Sequence, residues 1–284
     1  MPELPEVETI CSSLKPHILH KKIMDVSVFW PDVFSAPEGM EVPDVLFGRA
    51  VERMTRRGKY LLLDMSKGLT LVIHLRLTGK LIFHGDPRDH VEVAKHTHVV
   101  FYFEEGELHF NDARKFGRIQ IIDTLDVHVQ VMKKLGPEPL DKEFEFDRLG
   151  LRLADHHKNT SVKAALMDQE VVAGLGNIYT DEILFAAGVH PSRPVESLKA
   201  SEIILIHQAM RDILTKSIAS HGTTFRDYRD GEGKSGDFQN NLKVYGRGGM
   251  PCFVCETKLE SQKISGRSSI FCPKCQAETT CDDA

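Results

Sequence analysis

The stretch Tyr60-Leu61-Leu62-Leu63-Asp64-Met65-Ser66-Lys67-Gly68-Leu69-Thr70-Leu71-Val72-Ile73-His74-Leu75 holds two apolar runs broken by Ser66-Lys67-Gly68. That pattern predicts a β-hairpin. Working outward, Val99–Phe103 and Glu107–Phe110 flank the turn Glu104-Glu105-Gly106, and Arg118–Ile122 follows. Several short strands at such spacing predict a sandwich or barrel for the front half. A helix over about Val7–His17 precedes it. Leu135-Gly136-Pro137-Glu138-Pro139-Leu140 breaks both periodicities and reads as a linker. Beyond it the pattern turns helical. Ser161–Gln169 and Asn177–Ala187 read as two helices joined by a turn containing Gly174 and Gly176. In the second, Tyr179, Ile183, Ala186 and Ala187 share one apolar face. Asn177 suits the N-cap, Gly188 the C′ position and Pro191 the stop. A further helix is expected over Ser201–Ser220. Tyr228–Asn241, rich in Gly, Ser, Asp and Asn, reads as a long mobile loop.

Composition sets outer limits. The 284 residues are 41% hydrophobic and 27% charged, as in a soluble globular protein of one large or two ordinary domains. An apolar run of about 18 residues is absent from the sequence, so no membrane span is expected. The chain opens without a secretory pattern, so a cytoplasmic protein is expected. The net charge of −5 argues against a nucleic-acid partner on average. Binding, however, depends on the local field. From Gly231 to Gln276 there are seven Lys/Arg against four Asp/Glu.

Five of the six cysteines crowd the last stretch. Cys252-x-x-Cys255 and Cys272-x-x-Cys275 stand sixteen residues apart, a spacing that closes a tetrahedral zinc site. Four sulfurs fill the coordination sphere, so this one zinc is expected to be structural; reduced thiols without metal are the alternative. Between the pairs Gly266-Arg267-Ser268-Ser269 reads as a hairpin tip. Arg267 there is either a bidentate phosphate ligand or a solvated side chain. Cys11 stands alone, and Cys281 acquires no role.

The chain opens Met1-Pro2-Glu3-Leu4-Pro5-Glu6-Val7-Glu8. If Met1 is removed, Pro2 becomes a secondary amine. An α-amino group titrates near ~7.7–8.0, leaving a usable neutral fraction at pH 7. Such an amine attacks carbon at the aldehyde oxidation level to give an iminium. Glu3 beside it supplies a carboxyl for proton transfer. A plain helix start, with Pro5 and acids in the first turn, is the competing reading. Gly174-Leu175-Gly176-Asn177 precedes a helix and suits either an anion or an ordinary turn. In Arg56-Arg57-Gly58-Lys59, Lys59 is a second amine, a phosphate contact or a basic strand edge. Leu77-Thr78-Gly79 and Asp112-Ala113-Arg114-Lys115-Phe116-Gly117 lie between strands. Their Leu and Phe are either wedges for a base stack or core side chains.

Together these motifs resemble the formamidopyrimidine-DNA glycosylase family over essentially the whole chain. The markers are Pro2–Thr9, Arg57-Gly58-Lys59-Tyr60, Asp112–Gly117, Gly174–Tyr179 and the four-cysteine tail. The resemblance implies an α+β, multidomain protein, with a catalytic β-sandwich over 1–135 and a linker over 136–141. A helix–two-turn–helix DNA-binding domain over 142–225, a lesion-recognition loop over 226–245 and a four-cysteine zinc finger with a β-hairpin over 246–284 complete it. It further implies excision of oxidised purines from double-stranded DNA by a monomer, without a membrane partner, in the bacterial cytoplasm at the nucleoid. The damaged nucleotide is flipped out. By the same resemblance Pro2 would attack the sugar, Glu3 would donate a proton and Lys59 would assist β-elimination, while Arg267 would grip phosphates and serve δ-elimination. The DNA contacts carried over are His96, Arg114, Lys158, Gly176 and Asn177, with Leu77, Arg114 and Phe116 filling the void left by the flipped base. Loop Tyr228–Asn241 resembles the one that covers the purine. Two departures stand out. Leu77 replaces the family's usual Met, and Ala113 and Lys115 stand where Pro and Arg are common. Competing readings are an endonuclease VIII-like glycosylase for oxidised pyrimidines, a non-catalytic damaged-DNA-binding protein, and a zinc-stabilised interaction module.

Overall fold

Eleven strands and six α-helices can be traced in the computed structural model, which describes the whole chain except residues 37, 38, 40, 86–92, 158 and 279–284. Lys158 and Cys281 therefore lie outside the described residues. In chain order the elements are α1 (Leu4–Ile18), β1 (Ile23–Val28), β2 (Phe34–Ser35), α2 (Val42–Leu46), β3 (Val51–Arg57), β4 (Tyr60–Met65), β5 (Leu69–His74), β6 (Lys80–His84), β7 (Thr97–Phe103), β8 (Glu107–Asn111), β9 (Arg118–Asp123), α3 (Phe146–His157), α4 (Val162–Met167), α5 (Asn177–Ala186), α6 (Ala200–Ala219), β10 (Glu260–Ile264) and β11 (Arg267–Phe271). They form two compact units. One comprises Met1–Lys133 and Ile218–Gln239; the other comprises Lys134–Ser217 and Asn240–Ala284.

The first unit is a sandwich of a four-stranded sheet, order β1-β7-β8-β6, and a five-stranded sheet, order β2-β9-β5-β4-β3. The hairpin read from Tyr60–Leu75 is β4–β5, in the antiparallel register Leu61↔Ile73, Leu63↔Leu71 and Met65↔Leu69. Its turn is possible because Lys67 and Gly68 both take positive φ, +62° and +78°. Leu61, Leu63 and Met65 point into the main core with Leu71, Ile73, Phe101 and Phe110. The opposite face is also covered: Tyr60, Leu62 and Val72 pack with Ile122, Val127, Val131 and Met132. Apolar cover on both faces explains why this stretch reads as continuous runs and not as an alternation. Helix α1 buries Leu4, Val7, Ile10, Cys11, Leu14 and Ile18, the one-sided pattern of a helix packed on a core.

In the second unit α4 and α5 flank the glycine turn, and Gly174 takes φ +95°. The N-cap of α5 is Gly176 and not Asn177, because the last extended backbone belongs to Gly176 (φ −136°, ψ −154°). Asn177 is thus the first helical residue. At the other end Gly188 takes φ +69°. Its N–H donates to the Phe185 carbonyl and that of Val189 to Leu184, closing the helix as expected. The linker stretch lies close against its own unit: a Cβ at Gly136 would come within 2.7 Å of the Val171 carbonyl.

The expectation of mobility for Tyr228–Asn241 does not hold. Tyr228, Asp230, Phe238 and, just beyond, Leu242 are buried. The Asp230 carboxylate accepts from the N–H groups of Glu232 (3.0 Å) and Lys234 (2.8 Å). Gly231 donates to Ser13 Oγ (2.8 Å) while its carbonyl accepts from Phe83 (2.8 Å), fastening the segment to α1 and β6. Composition announces a loop; the hydrogen bonds that fix it come from distant sequence. Residues 226–239 belong to the first unit and 240–245 to the second.

Candidate active site

In the first unit the N-terminus is built as a reciprocal cap. Glu3 ends the extended lead-in, and its side chain accepts from the Glu6 N–H. Glu6 Oε2 accepts from the Glu3 N–H at 2.8 Å. Glu6 Oε1 accepts from the Thr223 N–H at 2.7 Å, 217 residues away. Gly222 is required beside it: it takes φ +78°, and a Cβ there would stand 3.0 Å from Glu6 Oε1. Tyr228 closes the arrangement, its hydroxyl donating to the carbonyls of His221 (3.1 Å) and Glu6 (3.4 Å). Burial pushes the Tyr228 phenol above its ordinary range, and the Glu6 charge adds to that. Pro2 and Glu3 are consequently buried, Glu3 to 2% exposure, while Met1 protrudes.

Lys59 occupies the second position of the two-residue connection between β3 and β4, after Gly58 at φ +53°. It is 8% exposed, unusual for a lysine at a hairpin tip. His74 pairs across the sheet with Tyr60, next to Lys59. Burial, then Arg76, then Lys59 push its pKa down to about 3, so the imidazole is neutral at pH 7.

Asp112, fully buried, gathers the remaining residues singled out in this unit. Its carboxylate accepts from the N–H groups of Arg114 (3.1 Å), Phe116 (2.8 Å) and Gly117 (2.7 Å), and from the Thr78 hydroxyl. Its own N–H donates to the His96 carbonyl (2.9 Å). One carboxylate thereby ties the Leu77-Thr78-Gly79 turn to the Arg114–Gly117 turn, with His96 alongside. Leu77 is half-buried; Arg114, Phe116 and His96 are exposed. The Arg114 guanidinium lies 4.8 Å from the Phe116 ring centre, a cation–π pair displayed to solvent.

In the second unit β10 and β11 form a hairpin whose two-residue turn, Ser265-Gly266, has φ +46° and +77°. Arg267 opens β11 and is exposed. The Ser268 carbonyl accepts from Asn177 Nδ2 (3.0 Å) and Lys163 Nζ (3.1 Å), so Asn177 and Arg267 are brought within one residue of each other. Beneath them lies the buried pair Lys163–Asp181 (2.7 Å), whose Asp181 carboxylate also accepts the Ile270 N–H (3.2 Å). Burial lifts the Asp181 pKa to about 6 against the opposing pull of Lys163. Glu182 accepts the N–H groups of Lys243, Val244 and Tyr245 at 2.8–2.9 Å. Gln276 bridges the Cys272 N–H and the Val189 carbonyl, both at 2.9 Å.

The sulfurs of Cys252, Cys255, Cys272 and Cys275 lie within 4.8 Å of one another. Neighbouring pairs stand 3.4–3.9 Å apart. A zinc–thiolate tetrahedron with bonds of about 2.3 Å needs sulfurs roughly 3.8 Å apart, so the cluster fits that metal. Among the described residues it is the sole group of three or more such ligands. Also among them, no helix is long and apolar enough to cross a membrane.

Sequence reasoning names Pro2, Glu3, Lys59, Asn177 and Arg267 but not Glu6, Asp112, His74, Asp181 or Glu182. For the four acids the signal is a buried carboxylate with a distant partner, and for His74 it is a neutral imidazole beside the cations Arg76 and Lys59; only the fold reveals either.

Comparison with known proteins gives concordant matches. Residues 1–119 match the formamidopyrimidine-DNA glycosylase N-terminal domain, and residues 135–229 match the H2TH domain of the same family. A formamidopyrimidine-DNA glycosylase of Desulfitobacterium hafniense is 46% identical over 277 residues, covering 97% of this chain and 100% of the relative. A Lactococcus lactis Fpg variant, solved with Fapy-dG containing DNA, is 34% identical with TM-score 0.90, covering 98% of this chain and 100% of that one. The Lactococcus lactis Fpg solved with abasic-site DNA is also 34% identical, with TM-score 0.89 over 97% of this chain and 100% of that one.

Proposed function

The chain belongs to the formamidopyrimidine-DNA glycosylase family, and on that premise we propose how its residues carry the chemistry. It is a bifunctional DNA glycosylase and abasic-site lyase acting on oxidised purines, the class of 8-oxoguanine and formamidopyrimidines, in duplex DNA. The observation that carries the residue assignment is the buried Pro2–Glu3 end, held by Glu6 between the N–H groups of Glu3 and Thr223.

Once Met1 is removed, the Pro2 nitrogen attacks C1′ of the flipped nucleotide. The bond to the base breaks, and the base leaves with a proton. Glu3, oriented by the cap, protonates the sugar ring oxygen as the ring opens to the iminium. Lys59 assists loss of the C2′ proton, and the 3′ phosphate departs in β-elimination. Arg267 and Asn177, joined through Ser268, hold backbone phosphates. Arg267 also assists departure of the 5′ phosphate in δ-elimination. His96, Arg114, Lys158 and Gly176 contact the strand, while Leu77, Arg114 and Phe116 fill the stack. Cys252, Cys255, Cys272 and Cys275 would hold zinc, which would fix the hairpin as a closed structural site and supply no catalytic chemistry. The domain assignment follows: 1–135 catalytic, 136–141 linker, 142–225 helical DNA-binding, 226–245 lesion recognition, 246–284 zinc finger. A monomer in the bacterial cytoplasm, acting at the nucleoid, completes the reading.

Nicking rates on duplexes containing 8-oxoguanine and thymine glycol test the substrate class. Faster cleavage of 8-oxoguanine is expected; the reverse order places the activity with oxidised pyrimidines. A Pro2→Gly variant should lose at least a hundredfold in excision, and undiminished activity contradicts the nucleophile.

A further inference from the structure

Lys59 is a buried hairpin-tip lysine, and Arg56 ties this turn to the N-terminal helix. The Arg56 side chain is 9% exposed. Its Nε donates to Glu8 Oε2 on α1 at 2.8 Å, and its Nη1 donates to the Gly58 carbonyl at 3.1 Å. Gly58 is the residue before Lys59, and Glu8 stands on the helix that begins immediately after Pro2 and Glu3. A guanidinium offers several donors in a rigid planar fork, so its two bonds fix an angle as well as a distance. The opposing charge on Glu8, itself 30% exposed, compensates the burial of Arg56. The first-turn carbonyl of the hairpin and the second turn of α1 are thereby fastened through one side chain.

We propose that Arg56 is a positioning residue for the lyase step, holding the Lys59 amine in register with the Pro2–Glu3 end through Glu8 and the Gly58 carbonyl. The inference rests on the roles given above to Pro2 and Lys59. Arg56 makes and breaks no bond in the reaction scheme above. Its loss removes the link from Glu8 to the Gly58 carbonyl beside Lys59, while the cap built from Glu3, Glu6 and Thr223 stays in place. The nucleophile and the elimination assistant are therefore separable by one substitution.

The test uses the full chain with its native N-terminus, on duplexes carrying a preformed abasic site. Two readouts are taken: borohydride trapping through Pro2, and the single-turnover rate of strand nicking. Arg56→Gln should trap within about threefold of wild type yet nick at least tenfold more slowly. Combined with Lys59→Ala it should lose no more than about twofold beyond Lys59→Ala alone, because both changes act through one amine. Arg56→Lys keeps one donor for Glu8 and should fall between wild type and Arg56→Gln; it stands in if the glutamine variant fails to fold. Wild-type nicking by Arg56→Gln beside an impaired Lys59→Ala overturns the inference alone, as do losses that multiply in the double variant. A Lys59→Ala that nicks normally, or a wild-type chain that never traps through Pro2, overturns the underlying assignments and the inference with them.

Discussion

Buried charge at single residues does much of the organising. Glu6 and Asp112 are 1% and 0% exposed; Glu6 joins the backbone N–H groups of Glu3 and Thr223, and Asp112 joins the N–H groups of its own turn to the distant Thr78 hydroxyl. Removing such an acceptor leaves several donors unpaired, at about 1–3 kcal/mol each. Asp112→Ala should therefore destabilise the first unit and loosen the Leu77 and Phe116 turns, seen as a lowered melting temperature and weakened binding to abasic-site DNA. His74 gives a pH signature. Its pKa in the fold is about 3, against 6.5 in an unfolded chain. Between those values the unfolded state holds a proton that the folded state refuses. The contribution is full above pH 6.5 and drains as pH falls, by up to about 1.4 kcal/mol per unit. Thermal melts at pH 7 and pH 5.5 should show this loss, and His74→Gln should flatten it. The roles proposed for Pro2 and Glu3 are legible in the sequence because they follow from residue type and position. Glu6 is not, because its partner Thr223 lies 217 residues away.

Among elements, the β10–β11 hairpin is the one whose geometry depends on outside support. A two-stranded ribbon is marginal alone. Here it is held by the cysteine cluster at its base and by Asp181 of α5, which accepts the Ile270 N–H, while Glu182 of the same helix holds the 243–245 segment that precedes the cysteines. If zinc fills the cysteine cluster as proposed, chelating it should release Arg267 from its place beside Asn177, abolishing binding to abasic-site DNA while the melting of the first unit changes little. Glu182→Ala orphans three N–H groups and should cost roughly 3 kcal/mol or more of the second unit's stability in urea denaturation; Glu182→Gln, which keeps an acceptor, should cost less. The cysteine spacing and the hairpin tip at Arg267 can be read directly, since both are local. The cap of α5 falls one residue before the position that the sequence suggests, because Gly176 and Asn177 both suit a cap and only the backbone angles at Gly176 decide. The 228–241 segment misleads for a different reason: glycine and serine announce a mobile loop, while Ser13, 218 residues from its partner Gly231, does the fastening.

At the scale of the molecule, a net charge of −5 leaves DNA binding to a few local cations. If Arg114, Lys158 and Arg267 each meet one phosphate, the slope of log affinity against log salt should be about −3. Arg267→Ala should reduce its magnitude by about one. A slope near zero contradicts phosphate recognition by these residues. The sandwich, the helical region and the cysteine module are each legible from local pattern, whereas the membership of 218–239 in the first unit is not, since it rests on contacts to α1 and β6. The proposed reaction centres on the first residue after Met1. The direct measurement is borohydride trapping on an 8-oxoguanine duplex, with mass spectrometry of the peptide that carries the DNA. A chain lacking Met1 should yield a single adduct on the Pro2 nitrogen, and a chain retaining Met1 should yield none. An adduct on Lys59 or any other amine, or trapping by the Met1-bearing chain, contradicts Pro2 as the nucleophile.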